Sequence, residues 1–286
     1  MKKIEAYDMT IIGSRNKINY ISFDVTICYF VNVNENKIIS GKYCKVCIKS
    51  KEEFLNTLKI FVTTNLYRLL IKECCNFNIF DMLCDSFKSK SNIKLLFIYK
   101  LEDKDIKFFE SFMKRLAKVK ILEILKISTL KKVEKSLPSI NLSTTTFESV
   151  NFSESKNTKF LNLKFIVELS KNNPRLRNFL FSSKNDHFLE TTLIWFFFKQ
   201  QLDNTKICNH NDISLSLYNT PNNKNKLINT LNSIVFRLPG IIEYQMYFTS
   251  KGNLKYKITK NCTICNTSLI NMNVTLICNR KILSKF

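Results

Sequence analysis

The sequence predicts an α/β solenoid, in which a curved parallel sheet carries helices on its convex face. Three observations support this prediction. A short pattern, apolar-x-x-apolar-x-apolar, recurs at similar intervals along the 286-residue chain. Amphipathic segments with helical spacing lie between its copies. Glycine and proline number only four each, which favours an array of helices and strands over a hairpin-rich sheet protein.

The recurring pattern predicts a series of short strands. Successive copies begin 23 to 29 residues apart, at Ile18, Tyr43, Leu66, Ile93, Leu122, Phe147 and Leu176. A final copy, about two units further on, begins at Leu231. The copy at Leu122 points Leu122, Leu125 and Ile127 inward. Because parallel neighbours need a crossover of a dozen or more residues, this spacing leaves room for one helix after most strands.

The segments between the copies have the apolar spacing of helices that cover a sheet. "DIKFFESFMKRLAK" places Ile106, Phe109, Phe112 and Met113 on one face, with lysines opposite. "KEEFLNTLKIFV", "NIFDMLCDSFK" and "FLNLKFIVELSKN" show comparable spacing. One strand and one helix cannot bury an apolar face alone, so neighbouring units must stack.

Two stretches resemble a known repeat. "FIVELSKNNPRLRNFLFS", residues 165 to 182, resembles the helix-then-strand junction of the leucine-rich repeats found in F-box proteins. "NLYRLLIKEC" resembles their cysteine-bearing variant, with Cys74 at the repeat's Asn or Cys position. The resemblance covers roughly residues 15 to 240 and implies a protein-binding module, with substrate recognition for a ubiquitin ligase as its role. We find no F-box segment before Ile18, so no residue is assigned to a ligase scaffold.

The pattern changes after Phe236, which predicts two regions. Residues 1–240 are interpreted as the leucine-rich-repeat-like solenoid and residues 241–286 as a C-terminal β cap. In the cap, "EYQMYFTSKGNLKYKITKN" alternates like a hairpin with its turn at "SKGN", and "NVTLIC" indicates a further strand. End units of a stacked array are expected to be atypical because they cover an open core.

The middle units are predicted to present a partner-binding surface. Strand side chains alternate, so the residues between inward positions face the concave side of the sheet. These residues form an apolar and aromatic patch with a basic rim, made of Arg68, Leu70, Lys72, Leu95, Phe97, Tyr99, Ile124 and Lys126. Such a patch suits a protein interface. The alternative is that these strands are packed on both faces, and a one-residue slip in register would reverse every assignment.

The charge of +22 leaves a second function open. Lysine and arginine neutralise phosphates, so a basic nucleic-acid-binding protein is the alternative to a protein-binding module. The lysines are spread along the chain rather than clustered, which indicates a solvated surface and makes a nucleic-acid partner unexpected. A third interpretation is an unrelated α+β domain, enzymatic in function, with chance periodicity.

No motif indicates catalysis, a cofactor or a metal site. The chain lacks P-loop, dinucleotide-binding and H-E-x-x-H motifs, and its only histidines, His187 and His210, are expected in surface positions. Of two C-x-x-C pairs, Cys262/Cys265 has Cys278 downstream but no fourth zinc ligand unless Cys208 or His210 folds back. We therefore expect a protein without enzymatic activity, cofactor or metal.

The sequence also bears on location. The longest apolar run, Leu193 to Phe198, is far shorter than a membrane span requires. Glu5 and Asp8 interrupt any signal-peptide core near the N-terminus. These features predict a cytoplasmic or nuclear protein that does not cross a membrane.

Overall fold

The computed structural model describes residues 4–15, 21–32, 39–72, 79–128, 146–155, 158, 160–202, 212–218, 224–262, 265 and 269–277. Within these ranges the chain has an α/β fold, with six α-helices and one mixed sheet of fourteen strands. The predicted α/β class is therefore confirmed.

Six α-helices are interspersed among the fourteen strands of the described ranges. The strands are β1 (Ile4–Arg15), β2 (Ile21–Asn32), β3 (Ile39–Ile48), β4 (Phe61–Val62), β5 (Asn65–Lys72), β6 (Ser91–Ile98), β7 (Leu101–Glu102), β8 (Leu116–Ser128), β9 (Ser149–Glu154), β10 (Asn178–Ser182), β11 (Ile213–Tyr218), β12 (Ile241–Phe248), β13 (Leu254–Asn261) and β14 (Leu269–Ile277). The helices are α1 (Lys51–Lys59), α2 (Ile79–Ser86), α3 (Ile106–Arg115), α4 (Leu163–Asn172), α5 (Asp186–Leu202) and α6 (Lys224–Arg237).

The centre of the sheet is a block of parallel strands in chain order. β5, β6, β8, β9, β10 and β11 lie side by side, each parallel to the next. A helix links four of the five successive pairs: α2 precedes β6, α3 precedes β8, α4 precedes β10 and α5 precedes β11. The fifth connection, from β8 to β9, runs largely through residues outside the described ranges. Strands of this kind need such crossovers to run in the same direction.

Two rows of apolar side chains cross this block and form the core. Leu69, Leu96, Leu122, Val150, Phe179 and Leu215 occupy paired positions on neighbouring strands, and all are buried. Ile71, Ile98, Ile124, Phe152, Phe181 and Leu217 form the second row. Full burial of each such side chain stabilises the fold by about 1.5–3 kcal/mol.

Helical side chains cover these rows from one side. The Phe165 ring of α4 lies 5.7 Å from the Phe152 ring. The Trp195 ring of α5 lies 5.8 Å from the Phe179 ring. Tyr256 on β13 donates a hydrogen bond from its hydroxyl to the Asn232 side chain of α6, at 3.1 Å. We call this side of the sheet the helix face and the opposite side the open face.

The register of β8 differs from the predicted one. Ile93, Leu96 and Ile98 pair with Val119, Leu122 and Ile124, so the inward set lies three residues before the predicted one. Leu125 is only half-buried, and a bulge between Ile124 and Ile127 returns Ile127 to the core. Both sets match the apolar pattern, and pairing with β6 selects between them.

This shift corrects one predicted site residue. Ile124 was expected on the concave surface, but it is fully buried on the helix face, between Ile98 and Phe152. Its placement with the partner-binding residues is therefore wrong.

The first strands are not parallel units, contrary to the prediction for the copies at Ile18 and Tyr43. β1 pairs antiparallel with β2, and β2 pairs antiparallel with β3. Only residues 16–20 and 33–38 separate these strands, which is too short for a helical crossover. β1 then pairs parallel with β5 and so joins this antiparallel group to the central block.

The copy predicted at Leu231 is helical. Leu227, Leu231 and Ile234 are buried along one face of α6. Apolar residues three and four positions apart fit a helix as well as they fit the strand pattern.

The predicted C-terminal hairpin does form: β12 and β13 pair antiparallel across residues 249–253. β14 then pairs with β13 and, in parallel, with β11, so β12, β13 and β14 extend the same sheet.

Candidate partner-binding surface

The open face carries the strand side chains that alternate with the buried rows. Its first row follows the paired positions Asp8, Arg68, Leu95, Ile121, Ser149, Asn178, Ser214 and Asn273. Its second row follows Thr10, Leu70, Phe97, Glu123, Asn151, Leu180, Ser216 and Thr275. Most of these side chains are half-buried, whereas their neighbours on the helix face are fully buried.

The apolar side chains of this face are concentrated over β5, β6 and β8. We call Leu70, Leu95, Phe97, Tyr99 and Ile121 the apolar patch. The first four were predicted from the sequence, and all five are half-buried on or directly after β5, β6 and β8. Ile121 was missed because the predicted register of β8 placed it elsewhere. Val119, Leu122 and Ile124 match the apolar pattern as well as the predicted copy at Leu122 does. A copy starting at Val119 would have placed Ile121 on the open face.

The predicted basic residues differ in how they are held. Arg68 donates a hydrogen bond to the Asp8 carboxylate at 2.8 Å, so its charge is compensated within the sheet. Lys72 pairs across from Ile12 and is half-buried. Lys126 is exposed within the β8 bulge. Lys72 and Lys126 are therefore the flanking charges best placed to meet an acidic partner.

An aromatic stack borders the patch and was missed in the sequence. The rings of Tyr7 and Tyr67 stack with centroids 5.0 Å apart. The Lys94 ammonium lies 4.5 Å from the Tyr67 ring centroid, a distance at which a cation and an aromatic face attract. Tyr67 and Lys94 occupy equivalent positions in neighbouring copies of the apolar pattern, so the sequence could have predicted that they lie side by side. β1 also fits the pattern, at Ala6, Met9 and Ile11, so Tyr7 occupies the position equivalent to Tyr67. The predicted series of copies began at Ile18 and did not include this one.

Across β9, β10, β11 and β14 the two rows of the open face are polar and uncharged except for Leu180. Ser149, Asn178, Ser214 and Asn273 continue the first row across β9, β10, β11 and β14. Ser214 donates a hydrogen bond to the Asn178 side chain at 2.7 Å. The change from apolar to polar side chains confines the apolar patch to one part of the face.

Glu123 stands at the boundary between the apolar and polar parts of the face. It pairs with Phe97 on one side and Asn151 on the other. Burial raises the pKa of Glu123, and the hydrogen bond that Asn151 donates at 3.4 Å opposes this rise in pKa. Burial also raises the pKa of Tyr218, and the negative charge of Glu123 raises that pKa further. The carboxylate therefore weakens the folded state when it is ionised.

This predicts a pH-dependent stability that Glu123→Gln removes. The folded chain holds the Glu123 proton more tightly than the unfolded chain, where the pKa of glutamate is about 4.3. The free energy of unfolding contributed by Glu123 is therefore highest below that value, and it falls as pH rises through the raised pKa of the folded state. Urea unfolding should show that the Gln variant is more stable than the natural chain at pH values above the raised pKa of the folded state. Below the pKa of the unfolded state, the Gln variant should have no such advantage. A Gln variant that is less stable at neutral pH would contradict this account.

The cysteine and histidine side chains of the described residues do not form a metal site. Within the described ranges, no three His, Cys, Asp or Glu side chains lie close enough together to hold a metal ion. Cys262 is buried and Cys265 half-buried, whereas Cys208, His210 and Cys278 lie outside the described residues. His187 is exposed in the first turn of α5. In the part of the chain that the structure covers, no helix has the length and apolar character needed to cross a bilayer.

Comparisons with protein-family models, with curated proteins and with solved structures gave no match to this chain. The apolar patch and its basic flank are therefore the features from which function is inferred.

Proposed function

We propose that this chain is a non-catalytic protein-binding module that holds its partner on the open face of the sheet. The observation that carries the proposal is the apolar patch. It lies over β5, β6 and β8, on the face opposite the buried rows. Aromatic and aliphatic anchors of this kind, beside basic side chains, are typical of protein interfaces.

We further propose that the central units are leucine-rich repeats stacked as a solenoid. The parallel order of β5 to β11 supports this assignment. With the observed register of β8, the pattern begins at Leu66, Ile93, Val119, Phe147 and Leu176, at intervals of 26 to 29 residues. This spacing is more even than the one inferred from sequence, and it falls at the upper end of the period of such repeats.

The partner's chemistry follows from the charges around the patch. Lys72 and Lys126 flank it, and Arg68 is compensated by Asp8. An apolar anchor on the partner, bordered by acidic side chains, would complement this arrangement. Substrate recognition for a ubiquitin ligase is the form of this proposal that the resemblance to F-box proteins favours.

The test is affinity capture with three forms of the chain. Leu95→Ser combined with Phe97→Ser should remove the anchors and reduce partner capture at least about tenfold, equal to about 1.4 kcal/mol of binding free energy. Leu180→Ser is the matched control, because Leu180 is also a half-buried leucine of the second open row, three strands from Phe97. Circular dichroism should show all three forms folded.

The captured proteins decide the outcome. Acidic proteins retained by the natural chain and by Leu180→Ser, but lost with the double variant, support the proposal. Ligase scaffold components among them support the narrower role. Equal capture by all three forms contradicts it. Nucleic acid that is released steeply by added salt would instead favour the alternative function.

A further inference from the structure

The outermost strand β12 is an exposed apolar edge. It pairs with β13 on one side, and among the described residues no strand pairs with its other side. Its exposed large side chains are Ile242 (57%), Tyr244 (51%), Met246 (52%), Tyr247 (47%) and Phe248 (60%). Phe236, near the end of the preceding helix α6, is 80% exposed. An edge of this composition is a template for pairing with another strand.

The opposite edge of the same sheet is built differently. β3 carries Lys42 and Lys45, and lysines on an edge discourage pairing with other chains. β12 contains no lysine or arginine, and Glu243 is its only charged residue. In a chain with 45 basic residues, this strand is an unusually uncharged segment. Since one edge is protected and the other is not, β12 is suited to be covered.

The two faces of β12 have distinct chemistry. Tyr244 and Met246 lie opposite the buried residues Ile258 and Tyr256, so they point to the helix face. Phe248 lies on the same side, where the Lys224 ammonium is 5.3 Å from its ring centroid. Glu243, Gln245 and Tyr247 alternate with these residues and point to the open face.

We propose that β12 pairs with β12 of a second copy of this chain, antiparallel and about a two-fold axis at Gln245. In this register Tyr244 lies opposite Met246 of the second copy, a favourable sulfur–aromatic contact. Glu243 lies opposite Tyr247, whose hydroxyl is a donor for the carboxylate. Gln245 lies opposite itself, and its amide both donates and accepts. In these three pairs the facing groups are complementary and no like charges meet, as a self-complementary isologous interface requires.

The charge of the chain gives this dimer a distinct signature. Two copies of a +22 chain repel one another, and they would meet at the edge strand with no basic residue. Salt screens the repulsion between the two copies without weakening apolar contacts. Dimerisation should therefore strengthen with added salt, opposite to the binding of an acidic partner on the open face.

Light scattering on the full chain tests the pairing. The natural chain should have twice the 33.6 kDa mass of one copy. Met246→Lys, present twice in the interface, should weaken dimerisation at least about tenfold. Phe108→Lys is the matched control: Phe108 is also exposed, at 41%, but lies on α3, and its replacement should leave the dimer intact.

Cross-linking tests the register. Directly opposite residues in an antiparallel pair have Cβ atoms about 4.5–5.5 Å apart. Gln245→Cys should therefore form a disulfide between copies when diamide accepts the two electrons and two protons, whereas Glu243→Cys should remain at the background of the natural chain. A monomeric natural chain, a dimer unaffected by Met246→Lys, or a cross-link only through position 243 would each overturn the proposal. So would a strand of another protein bound at β12 of a monomer.

Discussion

Leu122→Ala should lower the free energy of unfolding by about 2–5 kcal/mol, as large-to-small substitutions in well-packed cores do. Leu122 is fully buried in the central parallel block, between Leu96 of β6 and Val150 of β9. Its neighbours belong to strands fixed on both sides, so the cavity left by the substitution cannot collapse easily. Leu96→Ala should behave alike, since Leu96 is equally buried between Leu69 and Leu122.

The control lies on the same strand. Leu125 is only half-buried, and Leu125→Ala should cost clearly less than Leu122→Ala when both are measured by urea denaturation. Equal losses at Leu122 and Leu125, or a larger loss at Leu125, would contradict the register of β8 and with it the placement of Ile121 on the open face.

Asn173→Ala is the second substitution with a large expected effect, about 2–5 kcal/mol. Asn173 is buried after the end of α4. Its Oδ1 accepts a hydrogen bond from the Phe147 backbone N–H at 3.3 Å, and its Nδ2 donates to the Leu169 carbonyl at 2.8 Å. Alanine leaves both backbone groups unpaired in a buried site, and each such loss costs about 1–3 kcal/mol.

Asn172→Ala provides the comparison for this substitution. Asn172 is the preceding residue and is exposed, so replacing it should change the free energy of unfolding by no more than about 0.5 kcal/mol. Thermal or urea unfolding of the two variants separates the specific role of Asn173 from any general effect of removing asparagine here. Similar behaviour of the two variants would show that the Asn173 hydrogen bonds contribute little.

Local patterns located the strands β5, β6, β8, β9 and β10 and the helices α1 to α4, but no copy of the pattern was assigned to β11. α1 to α4 lie where the apolar spacing predicted them, because each buries one face against the sheet. The pattern could not fix the register of β8, since two sets of apolar residues fit and the choice depends on pairing with β6. It also could not distinguish α6 from a strand at Leu231, because apolar residues three apart suit both.

The open face was predictable only in part. Leu70, Leu95 and Phe97 alternate with buried residues, so strand periodicity alone places them together on that face. The partner of Arg68 is Asp8, sixty positions away in the sequence, and nothing local identifies it. Tyr7 and Tyr67 are likewise sixty positions apart, and the predicted series of copies did not include β1. Contacts across long sequence separations are what the pattern omits.

The order of the central strands has a consequence for how this chain folds. Strands that are spatial neighbours are also neighbours in sequence, so pairing from β5 to β11 closes only short loops, whose entropic cost is modest. At the two ends, by contrast, Met9 must find Leu69 and Leu215 must find Val274, about sixty residues apart in each case. We expect structure to nucleate in the middle and spread outward, with the terminal strands docking last.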